Sequence, residues 1–310
     1  MAGVELIKVK PEDDGMRLNR WFLKYYPGLP LGRFQKLLRT KQIKVDGKRA
    51  DTGLKLTCGQ EIRVPPLQEE KNVPQKTEIS RKDSLYIQSL IIYKDDNIIV
   101  LNKPSGLAVQ GGTNTSRHID GLLQALTFDK PEKPKLVHRI DKDTSGILVL
   151  ARNRQWADVL TKAFREHSLQ KTYLALVAPA PKQDSGEIKA PLEKTGEKVV
   201  VLDGGKPAHT HFETIDAVGN KFALLAAEPL TGRTHQIRVH LQYIGSPIVG
   251  DNKYFNGEKR EKYALLTDKL HLHAYKIDLS SLYNKKCLIK APLPEYFLQD
   301  LDNVGIQFKG

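Results

Sequence analysis

Two stretches near the start of the chain carry hydrophobic residues at the spacing of an amphipathic helix. The apolar positions are Leu18, Trp21, Phe22 and Tyr25 in MRLNRWFLKYYP, and Leu31, Phe34, Leu37 and Leu38 in LGRFQKLLRTKQ. Lysines and arginines occupy intervening positions, so each pattern predicts a helix with one buried and one basic face. The next stretch, QIKVDGKRA, indicates a strand, an Asp-Gly turn and a second strand.

The segment after two consecutive prolines, LQEEKNVPQKTEISRKDS, is polar and without periodicity, which predicts a linker. We expect a first domain at residues 15–66, a linker at residues 67–86 and a second domain at residues 87–310. In the second domain, strand-like runs such as GILVLA, TYLALVA and KFALLAAEP outnumber helical patterns and do not strictly alternate with them. We therefore predict an α+β protein, with a mixed, mainly antiparallel sheet in the second domain and a small α/β domain before it.

The stretch LVHRIDKDTSGILVLARN places charged and hydroxylic residues between two apolar runs. Its Thr-Ser-Gly is typical of a sharp turn, in which Gly146 takes a backbone conformation that other residues avoid. Asp141 is therefore expected on a tight loop that enters a buried strand. An isolated acidic loop of this kind is more often an ordinary polar turn, so a chemical role depends on the rest of the chain.

Charge is distributed unevenly along the 310 residues. The net charge is +13, and residues 15–66 contain twelve lysines and arginines against three acids, a net +9. Repulsion among these positive charges disfavours the compact state of a small module unless a polyanion binds there. We therefore expect nucleic acid as the partner.

Other sequence features narrow the class of protein. No run reaches the ~18 apolar residues of a membrane span, and the opening MAGVELIKVKPEDDG has no apolar signal core. The two cysteines, Cys58 and Cys287, lack CxxC spacing, and no GxGxxG or Walker loop is present. We predict a cytoplasmic protein that does not associate with membranes.

Two later stretches place polar residues among apolar ones. Tyr173 lies in the strand-like QKTYLALV, where a core aromatic is the usual explanation. In EPLTGRTHQIRVHLQYIG, Ile237, Leu241 and Ile244 predict a helix after Thr234. Arg238 on that helix is by default a surface cation. The following IVGDNKYF is typical of a plain loop.

Taken in order, HRIDKDTSG, KTYLALV and LTGRTHQIRVHL, with IIYKDDNIIVLNKPSGLAVQGG upstream, resemble the RluA-type pseudouridine synthases over about residues 90–255. The start at His138 differs from the Gly-Arg-Leu-Asp of the related RsuA type. The order of modules is most similar to the RluC and RluD group, which acts on large-subunit ribosomal RNA. Residues 15–66 resemble the RNA-binding module named after ribosomal protein S-four.

The resemblance implies an enzyme that isomerises uridine in RNA to pseudouridine without a cofactor or metal. By this resemblance Asp141 is the catalytic aspartate, Arg238 pairs with it, and Tyr173 stacks on the uracil. The target base must be flipped out of its stack, and Arg139 fills the vacated space. In the basic module we expect RNA contacts from six residues. They are Arg17, Arg20, Arg33, Lys36, Arg39 and Lys44. We expect a monomer.

Alternative functions remain open from the residues alone. A metal-dependent hydrolase would use Asp141 and Asp143 with HxH pairs, which are His209 with His211 and His271 with His273. A glycosidase using the two aspartates explains neither the basic module nor Arg238. The remaining alternative is a non-catalytic RNA-binding or ribosome-assembly protein on the same fold.

Overall fold

The computed structural model describes residues 3–67, 79–111, 117–255 and 266–309. The chain forms two compact units, residues 1–78 and 79–310. The first unit includes a strand that precedes the predicted start at residue 15, and a helix of the second unit begins inside the predicted linker. Most of that linker, residues 68–78, lies outside the described residues.

The first unit is a small antiparallel sheet with two helices. Its strands are β1 (Glu5–Lys8), β2 (Lys44–Val45), β3 (Lys48–Arg49) and β4 (Glu61–Val64), in the order β1-β4-β2-β3. Its helices are α1 (Leu18–Tyr25) and α2 (Leu31–Arg39). Asp46 and Gly47 both have positive φ between β2 and β3, as the predicted two-residue hairpin turn requires.

The two helices bury most of the predicted apolar faces. Leu18, Trp21, Phe22, Phe34 and Leu38 join the sheet residues in one core. Leu31 is an exception, because its side chain is exposed at the first position of α2. The helix starts there, so the residue lies at the edge of the face that packs on the sheet.

The second unit contains one long sheet. Its strands are β5 (Ile91–Lys94), β6 (Ile98–Lys103), β7 (Lys135–Leu136), β8 (Ser145–Ala151), β9 (Lys171–Val177), β10 (Ser185–Lys189), β13 (His209–Val218), β14 (Phe222–Pro229), β15 (Leu272–Asp278) and β16 (Leu288–Lys290). The order within the described residues is β10-β13-β14-β9-β15-β8-β6-β5, with β7 on β8 and β16 on β15. The pair β8 and β15 is parallel and the other described pairs are antiparallel, in agreement with the predicted class. A separate hairpin is formed by β11 (Leu192–Thr195) and β12 (Lys198–Val201).

The helices of the second unit connect and flank these strands. They are α3 (Arg81–Ser89), α4 (Ile119–Leu122), α5 (Arg154–Arg165), α6 (Gln236–Tyr243), α7 (Ser280–Tyr283) and α8 (Glu295–Val304). Asn153 caps the start of α5, because its side chain accepts a hydrogen bond from the Trp156 backbone nitrogen at 2.8 Å. No helix in the described part of the chain is long and apolar enough to cross a membrane.

The centre of the sheet brings distant segments into one row. Ser145 of β8 pairs with His273 of β15, the next residue, Ala274, pairs with Tyr173 of β9, and Tyr173 pairs with Ala227 of β14. Helix α6 follows β14. The sheet therefore brings together segments that are far apart in sequence. They are the loop before β8, the start of β9 and the start of α6.

Candidate active site

A cleft of about 500 Å³ contains the three residues predicted to carry the chemistry. Asp141, Tyr173 and Arg238 all line it, together with Arg139. Arg139 is exposed, and its side chain is available to a ligand that enters the cleft. The structure thus gathers the four predicted residues of the second unit in one place.

Asp141 lies on the loop that precedes β8, as predicted. All seven residues of β8 are buried, and Gly146 has φ +103°. A Cβ on Gly146 would lie 2.3 Å from the backbone oxygen of Ala274, so a side chain there would force β8 away from β15. The predicted sharp turn at Thr-Ser-Gly is wrong, because Ser145 and Gly146 already belong to β8, and the glycine is required by the close approach of β15.

Buried Lys103 fastens the other side of that loop. Its ammonium donates hydrogen bonds to the backbone oxygens of Pro104, Leu107 and Lys142 at 2.9, 2.9 and 2.8 Å. The Ser105 hydroxyl donates to the Asp143 backbone oxygen at 2.7 Å. The Lys142 and Asp143 carbonyl groups belong to the two residues that follow Asp141. The NKPS segment therefore positions the aspartate through backbone contacts, a role that the sequence analysis did not assign to it.

Arg238 is buried rather than a surface cation. Its Nε and Nη2 donate to the two carboxylate oxygens of Asp251, each at 2.8 Å. Asp251 also accepts from the backbone nitrogens of Lys253 at 2.9 Å and Tyr254 at 3.1 Å. Burial alone would lower the pKa of Arg238, but the hydrogen bonds and charge of Asp251 raise it. The guanidinium is therefore a fixed positive charge.

Asp141 faces two nitrogen-bearing side chains. Its Oδ2 lies 3.4 Å from Nη1 of Arg238 and 3.7 Å from Nε2 of His235. The Asp141 side chain is 26% exposed, so a ligand in the cleft can reach it. The predicted pairing with Arg238 is present, although Arg238 makes shorter contacts with Asp251.

His235 is oriented by Tyr254. The Tyr254 hydroxyl accepts from the Val199 backbone nitrogen at 3.1 Å and lies 2.7 Å from Nδ1 of His235. Burial lowers the pKa of His235, and the charge of Asp141 opposes this effect only partly. In a neutral ring whose Nδ1 accepts the tyrosine proton, the hydrogen is on Nε2, towards Asp141. The φ of His235 is 55°, which is why α6 begins at Gln236 and not directly after Thr234.

Tyr173 presents its ring to the cleft from the central strand β9. The side chain is partly buried and packs on both large cores of the second unit. Burial and, to a lesser degree, the charge of Asp141 raise the pKa of Tyr173 above its ordinary value. The phenol therefore stays protonated, and its ring is available for stacking against a planar ligand.

His138 has a structural position beside the cleft. Its Nε2 accepts from the Val149 backbone nitrogen at 2.8 Å, and its ring stacks on Phe164 with centroids 4.0 Å apart. Burial, reinforced by the charge of Lys171, lowers the pKa of His138 to about 3. The neutral ring holds the start of the Asp141 loop against β8.

One of the two histidine pairs considered for a metal site, His271 with His273, makes protein hydrogen bonds. The His271 ring nitrogens lie 3.3 Å from the Val249 backbone oxygen and 3.0 Å from Asp300. His273 lies 2.9 Å from the Ser145 hydroxyl and 3.2 Å from the Ala291 oxygen. Across the described residues, no group of three or more His, Cys, Asp or Glu side chains is arranged to hold a metal.

Four of the six basic residues expected to contact RNA lie on α1 and α2, whereas Arg17 directly precedes α1 and Lys44 lies in β2. Arg17, Arg20, Lys36 and Arg39 are exposed, whereas Arg33 and Lys44 are partly buried. Lys24, in contrast, is 2.7 Å from buried Asp13. Among residues 3–67, the exposed four have no acidic partner within ion-pair distance.

Comparison with known proteins identifies the family. The model of the RNA pseudouridylate synthase family matches residues 97–243, which include the cleft residues Asp141, Tyr173 and Arg238. The chain is 38% identical over 293 residues to the ribosomal large subunit pseudouridine synthase C of Rickettsia bellii, covering 91% of this chain and 95% of that protein. The chain belongs to the RNA pseudouridine synthase family. It is also 36% identical over 301 residues to the protein of the same name from Vibrio vulnificus, covering 94% of each.

Solved structures of pseudouridine synthases share the fold. Human RNA pseudouridylate synthase domain containing 4 matches with a TM-score of 0.63 and 26% identity, covering 74% of this chain and 99% of that one. Human RNA pseudouridylate synthase domain containing 1 matches with a TM-score of 0.56 and 25% identity, covering 69% and 86%. The predicted family and the predicted fold class of the larger domain are confirmed.

Three residues of the pseudouridine synthase site were not singled out by the sequence analysis. Asp251 lies in IVGDNKYF, which was interpreted as plain loop, and His235 lies in LTGRTHQIRVHL, where a role was given to Arg238 but not to the histidine. Lys103 lies in the NKPS segment. The signal available for Asp251 was a charged residue directly after an apolar run, but its partner is thirteen residues away on another element.

Proposed function

We propose that this pseudouridine synthase converts specific uridines of large-subunit ribosomal RNA to pseudouridine. The names of the relatives from Rickettsia bellii and Vibrio vulnificus support this substrate. The observation that carries the catalytic proposal is the exposed edge of Asp141 in a cleft, beside an arginine that Asp251 holds in place. Action in the cytoplasm, as a monomer, stays a prediction.

The reaction is an isomerisation and needs no oxidant, reductant or added group. The bond between ribose C1′ and uracil N1 breaks, the ring turns in place, and C1′ joins C5. The proton that C5 loses is matched by one gained at N1. A carboxylate suits this chemistry because it acts as a nucleophile or as a proton carrier.

Asp141 supplies that carboxylate, which can attack either the sugar or the base. Arg238 orients the carboxylate, since its own guanidinium is fixed. The ring of Tyr173 stacks on the uracil. Arg139, exposed at the cleft, fills the space that the flipped nucleotide leaves in the RNA.

The first unit contributes affinity for RNA in this proposal. Its resemblance to the S-four module and its exposed basic residues support the role, because lysine and arginine contacts to phosphates supply sequence-independent affinity. The proposed contacts remain those expected from the sequence, with Arg17, Arg20, Lys36 and Arg39 the best exposed of the set. Phosphate contacts position the RNA, and the cleft selects the base.

Mapping of pseudouridines in large-subunit ribosomal RNA tests the proposal. RNA from cells without the protein should lack one or more pseudouridines, and the wild-type chain should restore them. Asp141→Asn keeps the side-chain shape and removes the charge, so it should bind RNA but restore none. A complete set of pseudouridines without the protein would refute the substrate, and turnover by the Asn variant would refute the mechanism. Restored ribosome assembly without modification would favour the non-catalytic alternative.

A further inference from the structure

A second group of side chains in the cleft lies beside the proposed catalytic residues. We propose that Lys171, Arg233 and His167 form an anion subsite that binds a phosphate of the nucleotide whose uracil enters the cleft. All three line the same cleft as Asp141 and Tyr173. The proposal rests on the proposed function, since it takes an RNA nucleotide as the ligand.

The strand geometry places Lys171 beside the proposed uracil position. Lys171 begins β9, and Tyr173 lies two residues later. Residues i and i+2 of a strand share one face and are about 6.6 Å apart along the strand. A nucleotide whose base stacks on Tyr173 therefore has its sugar and phosphate groups within reach of the lysine.

The positive charges of this group have no acidic partner. Lys171 is partly buried, and burial lowers its pKa. In the described part of the chain, no carboxylate lies within ion-pair distance of Lys171 or Arg233. Among the residues that line the cleft, the carboxylate is Asp141, which faces Arg238. A partly buried cation without a counter-charge is costly, and an anionic ligand removes that cost.

Arg233 is aimed by the backbone. It lies in the loop between β14 and α6, and its Nε donates to the Pro207 backbone oxygen at 3.0 Å. This contact uses one of its five N–H groups and leaves the terminal nitrogens for a ligand. Planar guanidinium groups bind phosphate oxygens through two parallel hydrogen bonds.

His167 connects Lys171 with the Arg233 loop. Its φ is 55°, and its Nδ1 is buried without a hydrogen-bond partner. A Cβ on Gly232 would lie 3.0 Å from the ring, so the glycine permits this close contact. Burial lowers the pKa of His167, and the charges of Lys171 and Arg233 lower it further. Strained, unsatisfied residues of this kind concentrate at ligand sites.

Titration of the full chain with uridine 5′-monophosphate and with uridine tests the subsite without requiring turnover. Binding is measured by calorimetry and by the NMR signals of the His167 ring, assigned with His167→Gln. The nucleotide should shift the His167 signals and bind more tightly than the nucleoside, and inorganic phosphate should compete with it. Lys171→Met should weaken nucleotide binding roughly tenfold, which is the effect of losing one charge-assisted hydrogen bond. Arg233→Met should weaken it similarly.

Lys162→Met is the matched control, because this substitution removes the same charge as Lys171→Met. Lys162 is exposed on α5 and lies outside the cleft lining. It should bind the nucleotide like the wild type. Equal affinity in the wild type, Lys171→Met and Arg233→Met, unchanged His167 signals, or no detectable nucleotide binding would each overturn the subsite. Nucleotide binding that depends on Lys171 in a protein that forms no pseudouridine would uphold the subsite and refute the proposed function.

Discussion

Arg238 is bound more closely by Asp251 than by Asp141. Two hydrogen bonds of 2.8 Å join the guanidinium to Asp251, whereas Nη1 lies 3.4 Å from Asp141. One arginine is thus held by a buried carboxylate and presents its remaining edge to an accessible one. Asp251 orients the Arg238 guanidinium, and Asp141 is the carboxylate that a ligand meets. A ligand can therefore approach Asp141 without displacing the pair that orients Arg238.

Asp251→Asn tests this arrangement. An amide offers one acceptor oxygen and directs its NH2 group at the guanidinium, so the paired contact is lost. We expect single-turnover pseudouridine formation to fall at least roughly tenfold, with RNA affinity near the wild-type value. The unfolding midpoint should also fall, because a buried guanidinium loses its partner. Asp203→Asn, at an exposed position, is the control. Undiminished turnover by Asp251→Asn would show that Asp251 does not position Arg238.

Lys103→Met tests the fastening of the Asp141 loop. Methionine matches the length of the lysine stem and removes all three hydrogen bonds to backbone oxygens. The Leu107 carbonyl is buried, and a buried carbonyl left without a donor costs about 1–3 kcal/mol, so chemical denaturation should show a lower free energy of unfolding. Turnover should fall further than the unfolded fraction explains, because the loop that carries Asp141 is released. Equal losses of folded protein and activity would indicate a purely structural role for Lys103.

Acid should destabilise the protein through buried His273. Burial lowers the pKa of His273 to about 4, with the Ala291 hydrogen bond opposing the shift. Between about pH 4 and pH 6.5 the unfolded chain binds a proton at this residue that the native state does not, so stability falls as pH falls. The contribution is at most about 3 kcal/mol. Urea unfolding should show that the free energy of unfolding depends less steeply on pH in His273→Gln than in the wild type. An unchanged pH dependence would show that His273 is not a source of the acid sensitivity.

Removal of the first unit should weaken RNA binding and leave the second unit folded. The truncated chain should begin at Ile79, because the Ser80 side chain accepts a hydrogen bond from the Asp83 nitrogen at 3.0 Å and caps α3. A start near residue 84 would cut into this helix. Affinity for large-subunit ribosomal RNA should fall, and the slope of log affinity against log salt should decrease by about 0.7–0.9 for each phosphate contact removed.

A full-length variant tests the charges of the first unit while the unit itself stays in the chain. It replaces four exposed residues by glutamine. They are Arg17, Arg20, Lys36 and Arg39. The same loss of affinity and salt slope should appear, while the set of modified uridines changes less, because phosphate contacts do not read bases. Unchanged affinity and slope in both proteins would show that the basic cluster does not contact RNA.

The amino-acid sequence alone is enough to predict several local features of this protein. The two basic helices, the Asp-Gly turn and the position of Asp141 before a buried strand follow from periodicity and turn chemistry, which act over a few residues. Motif order also indicated the family. These signals are readable because neighbours along the chain decide them.

Long-range packing brings together the groups that meet in the cleft. Arg238 is buried because α6 packs beside a loop that brings Asp251 to it, and Lys103 reaches the carbonyl of Lys142 because β6 pairs with β8. Neither the hydrophobic pattern nor the turn residues encode such pairings. Whether a charged side chain is a solvated surface group or a fixed charge in a site depends on partners brought by the chain's long-range packing, since burial and electrostatics sum over neighbours in space rather than in sequence.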